Sequence, residues 1–153
     1  MYRSHESMVP RSLRWCSVSD FCIFCAIAAG DADARIVHAD EHAVAFLDLH
    51  PLTIGHTLVI PRRHVTDLLD ADGVVAEIGP ALETTAALLV DRLGSDGINA
   101  FQATGQAAGQ TVFHLHFHLL PRTEGDGLVN VHALRANGAD TDLASVHARI
   151  TGV

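Results

Sequence analysis

Between Phe113 and Arg122 the chain reads FHLHFHLLPR, and apolar and histidine positions alternate strictly. A period of two predicts an extended strand whose successive side chains point to opposite faces. His114, His116 and His118 then share one face, and Phe113, Leu115, Phe117 and Leu119 form a core face. Similar reasoning predicts strands over Arg35–Ala39 and Ala43–Leu49, joined as a hairpin by Asp40-Glu41-His42. A third strand, Gly55–Pro61, is apolar enough for a central, buried position. From Val74 to Leu93 the period becomes helical, with Ile78, Leu82, Thr85, Leu89 and Leu93 recurring at three and four residues before Gly94. Asp70 or Asp72 supplies the cap region, and Pro80 predicts a kink or a start delayed to about Gly79. Ile98–Thr104 is a fourth strand, antiparallel to the histidine strand if the intervening loop is a hairpin. The Ala-rich run after Cys25 suits a short helix stopped by Gly30. Leu128–Leu134 is a candidate edge strand, and Asp142–Ile150 a final helical turn or two.

Length and composition narrow the class. At 153 residues with 48% hydrophobic content the chain is one globular domain in prior expectation. Ten basic against 18 acidic residues, a net charge of -8, argue against a broad nucleic-acid footprint. No apolar run reaches membrane-span length. Residues 1–20 read as an extension rather than a secretory signal, ordered only if Leu13 and Trp15 dock. An odd count of three cysteines fits free or metal-bound thiols in a reducing cytoplasm better than a disulfide framework.

The histidine face carries the chemistry. At strand rise the Cα atoms of His114 and His118 lie roughly 13 Å apart, too far for one ion with bonds of about 2 Å to hold all three rings. A division of labour follows: one outer histidine for structure, the middle one for chemistry, the other outer one for charge. The loop Gly105–Thr111 places small residues and backbone N–H groups just upstream, as an anion pocket would need. Cys22 and Cys25 form C-x-x-C, readable as half a zinc site, a redox dithiol or two buried small hydrophobes. His64, just past the third strand, is either a surface residue or a third ligand. Asp48 either caps a turn or accepts hydrogen bonds from ligand hydroxyls.

FHLHFHLLPR with its GQTV lead-in (Gly109 to Val112), CIFC (Cys22 to Cys25), AFLDLHP (Ala45 to Pro51) and GHTLVIPRRH (Gly55 to His64) together resemble the histidine triad family of nucleotide hydrolases and transferases. The resemblance implies an α+β fold, with a five-stranded antiparallel sheet, one long helix and a short N-terminal helix. It implies a homodimer with a ten-stranded sheet. The implied substrate is a purine nucleotide such as AMP or GMP, conjugated through its α-phosphate to a leaving group. His116 matches the nucleophile that forms a nucleotidyl-imidazole. His114 supplies the carbonyl that orients it, and His118 matches the phosphate-contacting third histidine. Gln110 and Thr111 match positions that bind the phosphate and leaving group, Asp48 the acceptor of ribose hydroxyls, and His56 a supporting histidine. Asn99 occupies a strand position that often contacts phosphate or ribose. By the same resemblance, Cys22, Cys25, His64 and His114 match a structural zinc site; no organic cofactor is implied.

The domain expectation is an extension over 1–20, the family domain over 21–122 and a tail over 123–153 packed on or near it. The tail lacks the tryptophan that shapes a neighbouring pocket in the phosphoramidate-hydrolysing branch, and Cys16 matches no family position. The leading functional expectation is a cytoplasmic nucleotidyl hydrolase acting on nucleoside phosphoramidates or nucleotide conjugates. Rival readings are a dinucleoside polyphosphate hydrolase or phosphorylase, a nucleotide-binding protein with little turnover, and a metal-binding module that uses His116 and His118.

Overall fold

The structure, a computed structural model, describes residues 22–128 and 142–152. Two compact units divide at Thr123 and Glu124. The first contains a short helix α1 (Ile23–Ala29), strands β1 (Ile36–Ala39), β2 (Ala43–Leu47) and β3 (Thr57–Pro61), a long helix α2 (Val74–Leu93), and strands β4 (Gly97–Gln102) and β5 (Phe117–Arg122). The five strands form one sheet in the order β1-β2-β3-β5-β4, every neighbouring pair antiparallel. This is the α+β architecture expected from the sequence. In the second unit, helix α3 (Leu143–Thr151) is capped by Asp142 and ends at Gly152. Residues 1–21 and 129–141, with Trp15, Cys16 and nearly all of the candidate Leu128–Leu134 strand, lie outside the described residues.

Alternation along the central strands explains why they read as continuous apolar runs. Ala43 and Ala45 of β2, Val59 of β3 and Leu119 of β5 pack with Ile78, Ala81 and Leu89 of α2. Val44, Phe46, Leu58 and Ile60 point the other way, against Phe24 and Ala28 of α1. A sheet covered on both sides needs apolar residues at odd and even positions alike. Gly55, at φ 82°, lets the chain enter β3 beneath the end of α2; a Cβ there would come within 2.2 Å of Leu93 Cδ1.

Four local expectations change. First, α2 runs from Val74 through Pro80 to Leu93, so the start is not delayed. The Ala76 carbonyl that Pro80 cannot satisfy belongs to an exposed residue, so the missing bond is lost at the surface rather than in the core. Second, the residue that caps α2 is Gly73, not Asp70 or Asp72. Third, the histidine strand begins at Phe117 rather than Phe113. The Leu115 N–H bonds to the Val65 carbonyl at 2.8 Å, drawing residues 113–116 out of the ladder. Fourth, Phe113 is 52% exposed instead of forming core, whereas Leu115 and Leu119 are fully buried.

Candidate active site

The three histidines converge on the α1 side of the sheet. His118 lies opposite Leu58 across the β3–β5 ladder, on the face that carries Phe46 and Ile60. The His116 ring meets Phe24 edge-on with centroids 5.3 Å apart, and the His118 ring at 5.0 Å. The Phe24 ring also meets His114 at 5.9 Å. Phe24 projects from α1, so the helix that presents the two cysteines also walls the histidine site. Although residues 113–116 leave the sheet, the alternation of faces survives.

Hydrogen bonds fix which nitrogen of each ring is free. His116 Nδ1–H donates to the His114 carbonyl at 2.7 Å. Its Nε2 has no partner among the described residues and carries the lone pair, and the ring lines a cleft of about 990 Å³. Its low exposure, 4%, reflects the cleft walls rather than burial away from a cavity. At His56, the Leu52 N–H donates to Nδ1 at 3.2 Å. An amide nitrogen cannot accept, so Nδ1 is the acceptor and Nε2 bears the proton. His56 Nε2–H then donates to His118 Nδ1 at 2.9 Å, which leaves His118 with its Nε2–H as a donor. Asp48 Oδ2 approaches His56 Nδ1 only to 3.6 Å. With the lone pair of Nδ1 taken by the shorter amide bond, that approach is not a hydrogen bond. Burial holds His56 below its ordinary pKa, against the opposing pull of Asp48. Burial, then the neighbouring His116 and His56, depress His118 to about 4, again opposed by Asp48. Both rings are therefore neutral near pH 7.

Asp48 caps a turn, one of the two roles its sequence context allowed, and it also borders the cleft. Its Oδ1 accepts from the His50 N–H at 2.9 Å, capping the turn after β2, and its side chain lines the cleft. Thr111 also lines the cleft. Gln110 and Asn99 do not. Gln110 is 2% exposed, and its amide is spent on backbone groups of the protein. Its Oε1 accepts from the Gly105 N–H at 2.8 Å, and its Nε2 donates to the Thr66 and Val112 carbonyls at 2.8 and 3.1 Å. Asn99 on β4 accepts a short hydrogen bond from Arg122 across the sheet. Gln110 and Asn99, expected at the substrate, thus hold hydrogen bonds within the protein and do not line the cleft.

The second cluster joins Cys22, Cys25, His64 and His114, whose ligand atoms all lie within 4.8 Å of one another. Cys25 Sγ is 3.2 Å from His64 Nδ1, and both thiols are 3.5 Å from His114 Nδ1. Sulfur and nitrogen on a common tetrahedral zinc would be separated by roughly 3.5 Å, from bond lengths of about 2.3 and 2.05 Å. His114 Nε2–H donates to the Pro61 carbonyl at 3.0 Å, fixing the tautomer whose Nδ1 faces the thiols. Burial drives its pKa down to about 4, despite the favourable Pro61 carbonyl, so the ring is neutral as a ligand must be. The donor set fits zinc. Asp48, His56 and His118 form the other grouping of potential ligands among the described residues. In that group the facing nitrogens of His56 and His118 are already bonded to each other. Neither grouping contains His116, contrary to a metal module built on His116 and His118.

The sequence reading missed the apolar wall of the cleft, formed by Ile23, Phe24, Ile27, Phe46 and Leu58. Ile23 and Ile27 stand at i and i+4 on α1, a helical spacing that was legible. It also missed Asp33 and Arg35, for which no local signal existed.

An antiparallel sheet that presents a buried histidine to a cleft beside a two-cysteine, two-histidine cluster defines a recognisable class. Residues 29–125 match the HIT domain family. Over 110 residues the chain is 44% identical to an uncharacterized HIT-like protein of Methanocaldococcus jannaschii, covering 71% of this chain and 84% of that one. The crystal structure of a zinc-bound histidine triad family protein from Mycobacterium smegmatis is 44% identical, with a TM-score of 0.67, and the match covers 71% and 79% of the two chains. An adenylylsulfatase of Arabidopsis thaliana is 34% identical over 122 residues, 79% of this chain and 62% of the relative. The chain belongs to the HIT, or histidine triad, family.

Proposed function

We propose that the protein is a nucleotidyl hydrolase that cleaves the bond between the α-phosphate and the leaving group of purine nucleoside phosphoramidates or related nucleotide conjugates. One observation carries the reading: His116 is pinned through Nδ1 to the His114 carbonyl, with Nε2 unpartnered at a cleft sized for a nucleotide. The Nε2 lone pair attacks the α-phosphorus as the bond to the leaving group breaks, giving a nucleotidyl-imidazole. Water then attacks phosphorus, the phosphorus–nitrogen bond to His116 breaks, and a nucleoside monophosphate leaves. The Nδ1–H bond to the carbonyl stabilises the positive charge the ring acquires while bonded to phosphorus. His118 offers its Nε2–H to a phosphate oxygen. Asp48 accepts from the ribose hydroxyls, and the apolar wall takes the base. Thr111 stands beside the leaving group.

Zinc held by Cys22, Cys25, His64 and His114 would be structural, tying the start of α1 to the segment that presents His116; the zinc-bound Mycobacterium smegmatis relative supports this. The Arabidopsis relative's name, adenylylsulfatase, supports hydrolysis next to a nucleotide phosphate. Among the described residues no helix is long and apolar enough to cross a membrane, and we place the protein in the cytoplasm as a homodimer. Residues 21–122 are then the family domain, and residues 123–153 a tail that follows it in the sequence.

The test is single-turnover hydrolysis of an adenosine phosphoramidate and a guanosine phosphoramidate, with acid quench to trap the protein–nucleotide adduct. His116→Ala abolishes adduct and turnover with an unchanged circular dichroism spectrum. Unchanged turnover by the variant refutes the mechanism. A diadenosine polyphosphate in the same assay separates the polyphosphate hydrolase reading.

A further inference from the structure

The cleft is lined by two chemically distinct sets of residues. His116, His118, Asp48 and Thr111 are polar, and Ile27, Ala34 and Phe46 belong to its apolar lining. Two opposite charges, Asp33 and Arg35, line the same cleft beside Ala34. Arg35 is the only arginine or lysine lining it among the described residues. The backbone there is held: the Leu47 N–H donates to the Arg35 carbonyl at 3.0 Å, extending the β1–β2 pairing by one residue. Ala34 and Ile27 both pack against the α1-side core, so this segment adjoins the apolar wall of the cleft. Both charged side chains are exposed, and neither forms a hydrogen bond or ion pair among the described residues, with each other or with anything else. Opposite charges two residues apart that leave each other unpaired at a cleft are available to a ligand with both donors and acceptors.

We infer that Asp33 and Arg35 read the edge of the base and make the site selective for guanine over adenine; the inference rests on the nucleotide reading above. Guanine presents N7 and O6 as adjacent acceptors that match the two-pronged guanidinium. Around the same corner of the ring, its N1–H and N2–H groups are donors that match a carboxylate. Two residues apart, Asp33 and Arg35 have Cα atoms at most about 7 Å from each other, close enough for their side chains to reach two edges of one base. Adenine cannot satisfy both. Its N6 amine stands where O6 would be and faces the arginine donor to donor, leaving only N7 to accept. A free phosphate is a poor fit because the Asp33 carboxylate repels it.

The experiment is calorimetric titration of the full chain with GMP, AMP and IMP. GMP binds about tenfold tighter than AMP, toward the lower end of the discrimination expected of one bidentate contact because the rim is open to water. IMP, which lacks the N2 amine, falls between them. Arg35→Ala and Asp33→Asn, each checked for an unchanged melting curve, bring the GMP to AMP ratio close to one. Arg35→Lys keeps the charge but loses the fork, and also loses the preference. Equal affinities in the parent protein overturn the inference, as does a preference that survives all three substitutions. A loss shared equally by GMP, AMP and inorganic phosphate also overturns it, because that assigns Arg35 to phosphate. His116-dependent turnover without base preference sinks this inference alone. Base preference without turnover sinks the hydrolase reading alone.

Discussion

Replacing His56 by phenylalanine tests whether the tautomer chain sets the site. The ring is 2% exposed, and phenylalanine keeps most of its volume, so the packing cost is small. Two hydrogen bonds disappear: that from Leu52 N–H at 3.2 Å and that to His118 Nδ1 at 2.9 Å. Leu52 is 60% exposed, so water takes up its amide at little cost. His118 Nδ1 is part-buried and left without a donor, a loss of about 1–3 kcal/mol. Without that donor, His118 no longer has to carry its proton on Nε2. A mixed tautomer population weakens the phosphate contact, and kcat/KM falls about tenfold, equivalent to about 1.4 kcal/mol. His56→Gln can donate an amide N–H to the same nitrogen and recovers part of both losses. The assays are urea denaturation, steady-state kinetics and nitrogen NMR of the His118 ring. A parent spectrum with the proton on His118 Nδ1 refutes the reasoning. So does a phenylalanine variant with parental stability and kcat/KM.

The same geometry sets further outcomes. Cys22→Ser removes one of four closely grouped ligands, so zinc measured by elemental analysis falls well below the parent level and the melting temperature drops; parental zinc content contradicts the assignment. Gln110→Ala breaks three side-chain hydrogen bonds to the backbone and costs about 3 kcal/mol in denaturant unfolding, at about 1 kcal/mol each. Its effect on nucleotide affinity is smaller than its effect on stability; the reverse order would return Gln110 to the substrate. His118 has a folded pKa of about 4 against 6.5 in the unfolded chain, so between these values the unfolded state binds more protons. Stability contributed by neutral His118 is therefore full above about pH 6.5 and lost as the pH falls to about 4. In His118→Asn, unfolding free energy depends less steeply on pH across that window, and an unchanged slope refutes the assignment.

Alternation alone determined a good deal here. The period of two in residues 113–122 placed the three histidines on one face, because side-chain direction in extended chain is a local property. The helical period located α2 from Val74 to Leu93, and the apolar run of β3 announced a strand covered on both sides. The spacing of Cys22 and Cys25 at the start of a helix was equally local. Partners across the chain were not legible in this way. Pro80 is tolerated where Ala76, the residue whose carbonyl loses its donor, is exposed, which depends on how the helix lies on the sheet. Leu115 leaves the ladder because the Val65 carbonyl, fifty residues earlier, takes its N–H. Gln110 and Asn99 have side chains suited to a ligand, yet both are bound to the protein by groups that only folding brings near. Asp33 and Arg35 carried no pattern at all. Their place at the cleft follows from the pairing of β1 with β2, since a hydrogen bond between distant residues, unlike a periodicity, is written in no single stretch of chain.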